Sequence, residues 1–444
     1  MTSTTTAPSP SAPPGPRFVV LADDLTSAAE AAGHLADTGR AASVVLDLDD
    51  PSAVDGGGWA CADLDSRHLP RVEAALRHRR ATGRLLDRAR SDTGPAGPIA
   101  LYKTMDSSLR GNWPAELAAV MRASGRGVAV VAPACPAYGR HTVGGHQYAD
   151  GVPVHRGPAG RDPVRPVTDS SVLTPLTEEG ICATPVAPGR EDLTAALTTA
   201  LTGVLAPPPA PPGGTMPLRA LVVDAAGGED LDRIAAAVAG HLDDVVLCGS
   251  PGLWEAVVPP GPDRSPVSAP ISAPGTASAT GSPGRALVLV GSRHPTTREQ
   301  LARLREDGVP VLAVTDFAGD ADPVGHLTRL LDTRTAVALT TPEALEDDRT
   351  VAARQLRDLA SLGAACAGAL PGLGLVLTGG DTARAFCAAL GVPALHAVGT
   401  VAPGVPLATL SGARPHRVIS KAGGFGDPES LVAAVAALTR RTAR

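Results

Sequence analysis

Apolar runs of five or six residues recur along this chain, and most end abruptly in charged or glycine-bearing turns. Arg17 to Ala22 (RFVVLA) ends at Asp23-Asp24, and a helical spacing of apolar residues follows from Thr26 through Leu35. Strand, polar turn and helix in that order open an α/β unit. Ala42 to Leu48, Ile99 to Lys103 and Val128 to Ala132 read as further strands. Ala220 to Asp224, a helix from Asp230 to Leu242, and Asp244 to Cys248 continue the rhythm. It restarts at Ala286 to Val290, followed by strands at Val311 to Val314, Thr335 to Leu339 and Gly374 to Leu377, with a helix from Ala383.

Two stretches break the pattern. Ala206 to Met216 is rich in Pro and Gly, and Val258 to Pro283 in Pro, Ser, Gly and Ala, so both read as loops or linkers. Four segments follow: a disordered start at residues 1–16, an N-terminal domain at 17–205, a connecting α/β stretch between Pro/Gly-rich linkers at 206–283, and a C-terminal domain at 284–444. The predicted fold class is α/β, two α/β domains with mainly parallel sheets facing across a cleft. Strand-end polar residues place the site at the carboxyl edges.

The 444 residues are enough for two cores. Aromatic residues make up only 2%, so Ala, Val and Leu must build those cores, and no base-stacking surface is expected. The net charge of -6 also argues against a nucleic-acid partner. Six scattered cysteines lack CxxC spacing, which points to buried thiols in a reducing, cytoplasmic setting rather than to zinc or disulfides. The first 16 residues lack the basic and apolar parts of a signal peptide, and no apolar run is long enough to span a membrane.

Four constellations carry chemistry. Asp23 and Asp24 at a strand end can anchor a hydroxyl, act as a base or bind a metal; the plain alternative is a helix cap. Tyr102 to Asn112 (YKTMDSSLRGN) gathers Lys103, Asp106, Ser107 and Arg110 after a strand. Arg can clamp a carboxylate through two parallel hydrogen bonds while Asp accepts from a hydroxyl. The loop from Ala132 to His146 holds Arg140, His141 and His146; isolated histidines are more often structural. In the second half, Gly291-Ser292, Thr378-Gly379-Gly380-Asp381-Thr382 and Lys421 to Gly426 (KAGGFG) bear glycines that let backbone amides approach phosphate oxygens. No P-loop and no GxGxxG is present, which argues against an NAD-linked dehydrogenase.

Seven blocks in order resemble the four-carbon acid sugar kinase family: ADDLTSAAE from Ala22, DSR from Asp65, YKTMDSSLRGN from Tyr102, VAPACPAYGRHTVGG from Val131, GSRHPTTREQL from Gly291, LTGGDTA from Leu377, and KAGGFG from Lys421. The resemblance implies an ATP-dependent kinase that phosphorylates the terminal hydroxyl of a small four-carbon sugar acid, with Mg²⁺ as counter-ion. It implies substrate-site places for Asp24, Asp106 and Arg110. The residues themselves suggest that Asp24 or Asp106 acts on the acceptor hydroxyl while Arg110 holds the carboxylate, with Asp23, Arg67, Lys103, Ser107 and Arg140 as further substrate contacts. The resemblance implies nucleotide contacts at Ser292, Gly379, Gly380, Asp381, Thr382 and Gly423. The chain departs from the family's usual residues at Ser27, Glu30 and Gly424, where Gly, Asp and Asn are common. A non-catalytic sugar-acid or nucleotide sensor on the same fold is the alternative reading.

Overall fold

A computed structural model describes residues 16–50, 59–91, 97–162, 165–187, 192–206, 216–258, 284–342, 349–412 and 415–439. The predicted disordered start, except for residue 16, and most of both Pro-rich linkers lie outside the described residues. In chain order the strands are β1 (Arg17–Ala22), β2 (Ala42–Val45), β3 (Trp59–Asp63), β4 (Ile99–Thr104) and β5 (Val128–Ala132). A small antiparallel sheet follows, made of β6 (Arg140–Val143), β7 (His146–Ala149) and β8 (Val152–Pro153). Next come β9 (Ile181–Val186), β10 (Leu218–Val223), β11 (Val245–Gly249), β12 (Ala286–Val290), β13 (Val311–Ala313), β14 (Ala336–Thr340) and β15 (Gly374–Thr378). The last three are β16 (Ala394–Ala402), β17 (Val405–Leu410) and β18 (Arg417–Lys421).

All but β6 to β8 join one sheet of 15 strands, ordered β13-β14-β12-β15-β18-β17-β16-β2-β3-β1-β4-β11-β5-β10-β9. The expectation for residues 206–283 needs correction. β11 lies between β4 and β5, and β10 lies beside β5, so both strands belong inside the first half's sheet rather than in a connection between domains. Both halves are parallel, as predicted from strands that alternate with helices.

The seam between the halves is antiparallel. β2 pairs with β16 through Val45 and Ala394, β16 with β17, and β17 with β18. Three antiparallel steps reverse direction, so the two parallel blocks run opposite ways. In a flat sheet their carboxyl ends would lie at opposite edges. Their loops nevertheless meet, as shown below, so the sheet turns over along this seam. Register shifts at Ala397/Gly399 and Thr400/Ala402 of β16 break the ladder there, the kind of irregularity that adds local twist.

Strand side chains alternate between two cores. In β1, Phe18, Val20 and Ala22 face a core that continues through both halves to Leu287 and Val418, while Val19 and Leu21 face a core that lies in the first half except for Ala394 on β16. The helix Leu25–Asp37 is buried on nearly every side because it lies under the seam. Its last residue, Asp37, accepts from Thr400 N (3.1 Å) and Thr400 Oγ1 (2.5 Å) on β16. This small-residue helix, with Ala at positions 28, 29, 31, 32 and 36, allows the close packing that the seam requires. Among the described residues, no helix is long and apolar enough to cross a membrane.

Candidate active site

The first half's site grows from the ends of β1, β3 and β4. Asp24 caps the helix Leu25–Asp37, with its Oδ1 accepting from Ser27 N at 2.9 Å, so the plain capping role predicted for this pair is real. Its other oxygen, Oδ2, faces the site and is paired with Arg67 Nη1. Arg67 stands on the turn after β3 and grips Asp23 through both ends of its fork, Nε to Oδ2 at 2.8 Å and Nη2 to Oδ1 at 3.0 Å. Its neighbours Ser66 N (2.9 Å) and Arg67 N (3.2 Å) donate to Asp23 O, which fixes the turn against β1. Burial opposes the charge on Asp23, but Arg67 and Lys103 outweigh it and hold the carboxyl below its usual range.

After β4 the chain bends through Leu109, whose φ is 65°, and Arg110 folds back on Asp106. Their pairing is bidentate, Nε to Oδ2 at 2.8 Å and Nη2 to Oδ1 at 3.1 Å. Burial again opposes ionisation. The charge and hydrogen bonds of Arg110, with Arg67 behind, overcome it and hold Asp106 well below the ordinary carboxylate range. A carboxylate held that acidic is a poor proton acceptor. The Arg110 side chain is 40% exposed against 13% for Asp106, so the guanidinium faces the open edge.

Lys103 does not line this edge, contrary to expectation. Its side chain is fully buried, its Nζ donates to Thr104 O, and it ion-pairs with Glu116 Oε2 at 2.9 Å. A lysine at the end of β4 can point into the core only where a carboxylate meets it, and Glu116 on the helix Trp113–Ser124 does so. Glu116 also accepts from Ser66 Oγ at 2.6 Å. Ser107 is buried, and its carbonyl accepts from Gln147 Nε2 at 2.8 Å. Arg140 donates to Tyr138 O (2.9 Å) and pairs with Asp150 (3.2 Å). The two discounted histidines are structural: His141 bonds Ala226 O and His146 bonds Ser170 Oγ.

In the second half the three glycine loops converge. Gly379 N donates to Lys421 O at 2.8 Å, which ties the turn after β15 to the end of β18. Thr297 Oγ1 donates to Gly423 O at 2.7 Å and lies 3.2 Å from Ser292 Oγ, which ties the KAGGFG loop to the loop after β12. The approach is so close that a Cβ on Gly423 would stand 2.0 Å from Ser292 Oγ. Lys421 donates to Ala422 O (2.7 Å) and Phe425 O (2.8 Å), and burial lowers its pKa to about 8.

The two sets of loops meet. A Cβ built on Gly380 would stand 3.1 Å from Asp24 Oδ2 and 3.2 Å from Thr26 Oγ1. Asp381 lies 3.7 Å from His68, and Tyr138 stacks on Phe425 with centroids 4.4 Å apart and 16° between planes. Burial lowers the pKa of His294, and the charges of Arg110, Lys421 and Arg140 lower it further, so cations of both halves face this ring. The site is thus a fixed lattice of ion pairs opposite a set of backbone-lined loops at a helix N-terminus.

Comparison with known proteins agrees with this division. A sugar-binding N-terminal domain family matches residues 18–257, and a nucleotide-binding C-terminal domain family matches residues 287–431. The chain is 32% identical to a D-threonate kinase of Cupriavidus necator over 96% of this chain and 99% of that protein. The chain belongs to the four-carbon acid sugar kinase family. It is a kinase whose C-terminal half binds nucleotide. A 3-oxo-tetronate kinase of the same bacterium is 27% identical over 93% of this chain and 95% of that protein. A crystal structure from Salmonella typhimurium LT2 shares the fold, with a TM-score of 0.72 and 21% identity over 94% of this chain and 98% of that one.

Sequence reasoning for this kinase missed the residues behind its site. Glu116 and Asp63 look like an ordinary helix-face acid and the end of a weak strand (WACAD). The only available signal for Glu116 was a lysine at a buried strand end in need of a partner. Gly424, one of the departures from the family's usual residues, has a local reason. A Cβ there would stand 3.2 Å from His294 Nε2, so the histidine takes the room a larger residue would need.

Proposed function

We propose that this kinase transfers the γ-phosphate of ATP to the terminal hydroxyl of a four-carbon sugar acid of the threonate class. The observation that carries this reading is the approach of the Gly380 turn to Asp24. It puts a phosphate-type helix N-terminus beside a carboxylate that is itself paired with the Arg67 guanidinium. The acid's carboxylate would bind at Arg110, whose fork is already oriented by Asp106. Asp23 and Arg67 keep Asp24 aimed at the acceptor hydroxyl.

In the transfer, the hydroxyl oxygen forms a bond to the γ-phosphorus, the bond to the β-bridging oxygen breaks, and the hydroxyl proton passes to Asp24 and then to solvent. The amides of Gly380 to Thr382 and the Ser292 loop hold the phosphates, which is the positioning and charge stabilisation on which phosphoryl transfer chiefly depends. Among the described residues, no cluster of three or more metal-type side chains occurs. A Mg²⁺ would be held mainly by phosphate oxygens, with Asp381 as its carboxylate, where it would neutralise phosphate charge.

The test is an ATP-consumption screen of the purified protein over D-threonate, erythronate and 3-oxo-tetronate, with Asp24→Asn alongside. Turnover of one acid that falls about a thousandfold in the variant is the expected result. Binding of acid and ATP without turnover would make the protein a sensor. Turnover unaffected by Asp24→Asn would remove Asp24 from the mechanism.

A further inference from the structure

Asp63 ends β3, and its side chain is completely buried where the two halves touch. Its two oxygens point to different halves. Oδ1 accepts from Asp65 N at 3.0 Å, inside the turn that carries Arg67. Oδ2 pairs at 3.2 Å with Arg384, which lies one turn into the helix Gly380–Leu390 that begins at the nucleotide-type turn. The same Arg384 nitrogen donates to Leu46 O at 3.2 Å, just beyond β2. Asp65 itself sits at φ 45°, an unfavourable conformation for a non-glycine residue that the cap from Asp63 helps to hold. Burial pushes the Asp63 carboxyl up to about 7, with Arg384 pulling it down and the charges of Asp65 and Asp24 adding to the rise.

We propose that Asp63 and Arg384 are positioning residues that couple the two ligand sites, so that ordering the nucleotide helix also orders the turn presenting Arg67. One carboxylate spans the gap between a turn that grips Asp23 and Asp24 and a helix whose first residues face the phosphates. Neither residue touches a ligand. Each acts through the backbone it holds. The two would thus make binding of the second ligand easier once the first has fixed the turn, which is a coupling free energy between sites.

This inference rests on the proposed function, so the experiment has one arm that needs ligands and one that does not. Calorimetry measures the affinity of the imido analogue of ATP with and without D-threonate, in wild type, Asp63→Asn, Arg384→Gln, Arg384→Lys and the Asp63→Asn/Arg384→Gln pair. In wild type the acid is expected to tighten the analogue by about fivefold or more. Asp63→Asn and Arg384→Gln should each bring that factor near one, and the double variant should lose no more than either. Arg384→Lys, which keeps the charge, should recover part of it. A coupling factor unchanged in both single variants, or losses that simply add, would overturn the proposal. If wild type binds neither ligand, the functional reading has failed. The link is then judged by amide exchange of the unliganded chain, where Arg384→Gln should speed exchange at residues 64–67 on the opposite half. Unaltered exchange there would overturn it independently.

Discussion

The two halves of the site solve recognition in opposite ways. The first half uses charged side chains already paired to one another, Arg67 with Asp23 and Asp24 and Arg110 with Asp106, backed by the buried Lys103–Glu116 pair. The second uses backbone amides, two hydroxyls and glycines packed to contact distance, as between Gly423 and Ser292. On the proposed reading, a lattice of ion pairs would fix direction and stereochemistry before the ligand arrives, so that little reorganisation remains at binding. Backbone loops at a helix end give phosphate affinity with little dependence on side-chain identity.

Removing one cation from the first half should break this contrast most sharply. Arg110→Ala leaves a buried, ionised Asp106 without its partner and the acid without its clamp. The expected loss in kcat/KM for the acid is about a hundredfold, or about 3 kcal/mol, with the KM for ATP within about threefold of wild type. Steady-state kinetics with each substrate varied in turn checks this, and an equal rise in both KM values would merge the two half-sites into one.

The second half should fail through space rather than charge. Gly423→Ala puts a methyl group where Ser292 Oγ lies, so the loop must shift. Overpacking of this kind costs about 1–3 kcal/mol, enough to raise the KM for ATP about tenfold while leaving acid binding alone. Titration of the acid against the variant without nucleotide tests that separation.

The smallest expected effect concerns stability. Glu30 is buried under the seam, and burial, with Glu255 and Asp24 adding charge repulsion, pushes its carboxyl up to about 8. The folded chain therefore holds a proton that the unfolded chain releases from about 4.5 upward. Stability from this group is complete below that value and is lost as pH rises to about 8. Glu30→Gln cannot ionise, so its Tm should fall less than wild type between pH 5 and pH 9, by a few degrees. Parallel Tm slopes in a pH series would show that Glu30 is not buried in neutral form.

The parts legible in the sequence are those written locally. β1 with Asp23-Asp24, β4 with Asp106 and Arg110, and β15 with the Gly379 turn each show an apolar run ending in chemistry. Of the seam strands, β2 was legible as a strand, but β16 and β17 were not. β16 carries a glycine, a histidine and two register shifts, which blur the period-two pattern, and its partner β2 is a distant segment. Nor does anything in residues 218–249 announce that β11 inserts between β4 and β5. In the site, Lys103 was recognisable as chemistry but not as buried, because its burial depends on Glu116 arriving from another element.

The seam also sets an order of assembly. Ser43 and His396, bonded at 3.0 Å across β2 and β16, are 353 residues apart in the chain. During synthesis the first half can complete its own core long before β16 emerges, and until then β2 is a bare edge with unsatisfied amides and carbonyls. Such an edge is a template for pairing with any strand nearby, including the β16 of a neighbouring nascent chain. A strand made 353 residues later is therefore the one that makes the earlier part safe.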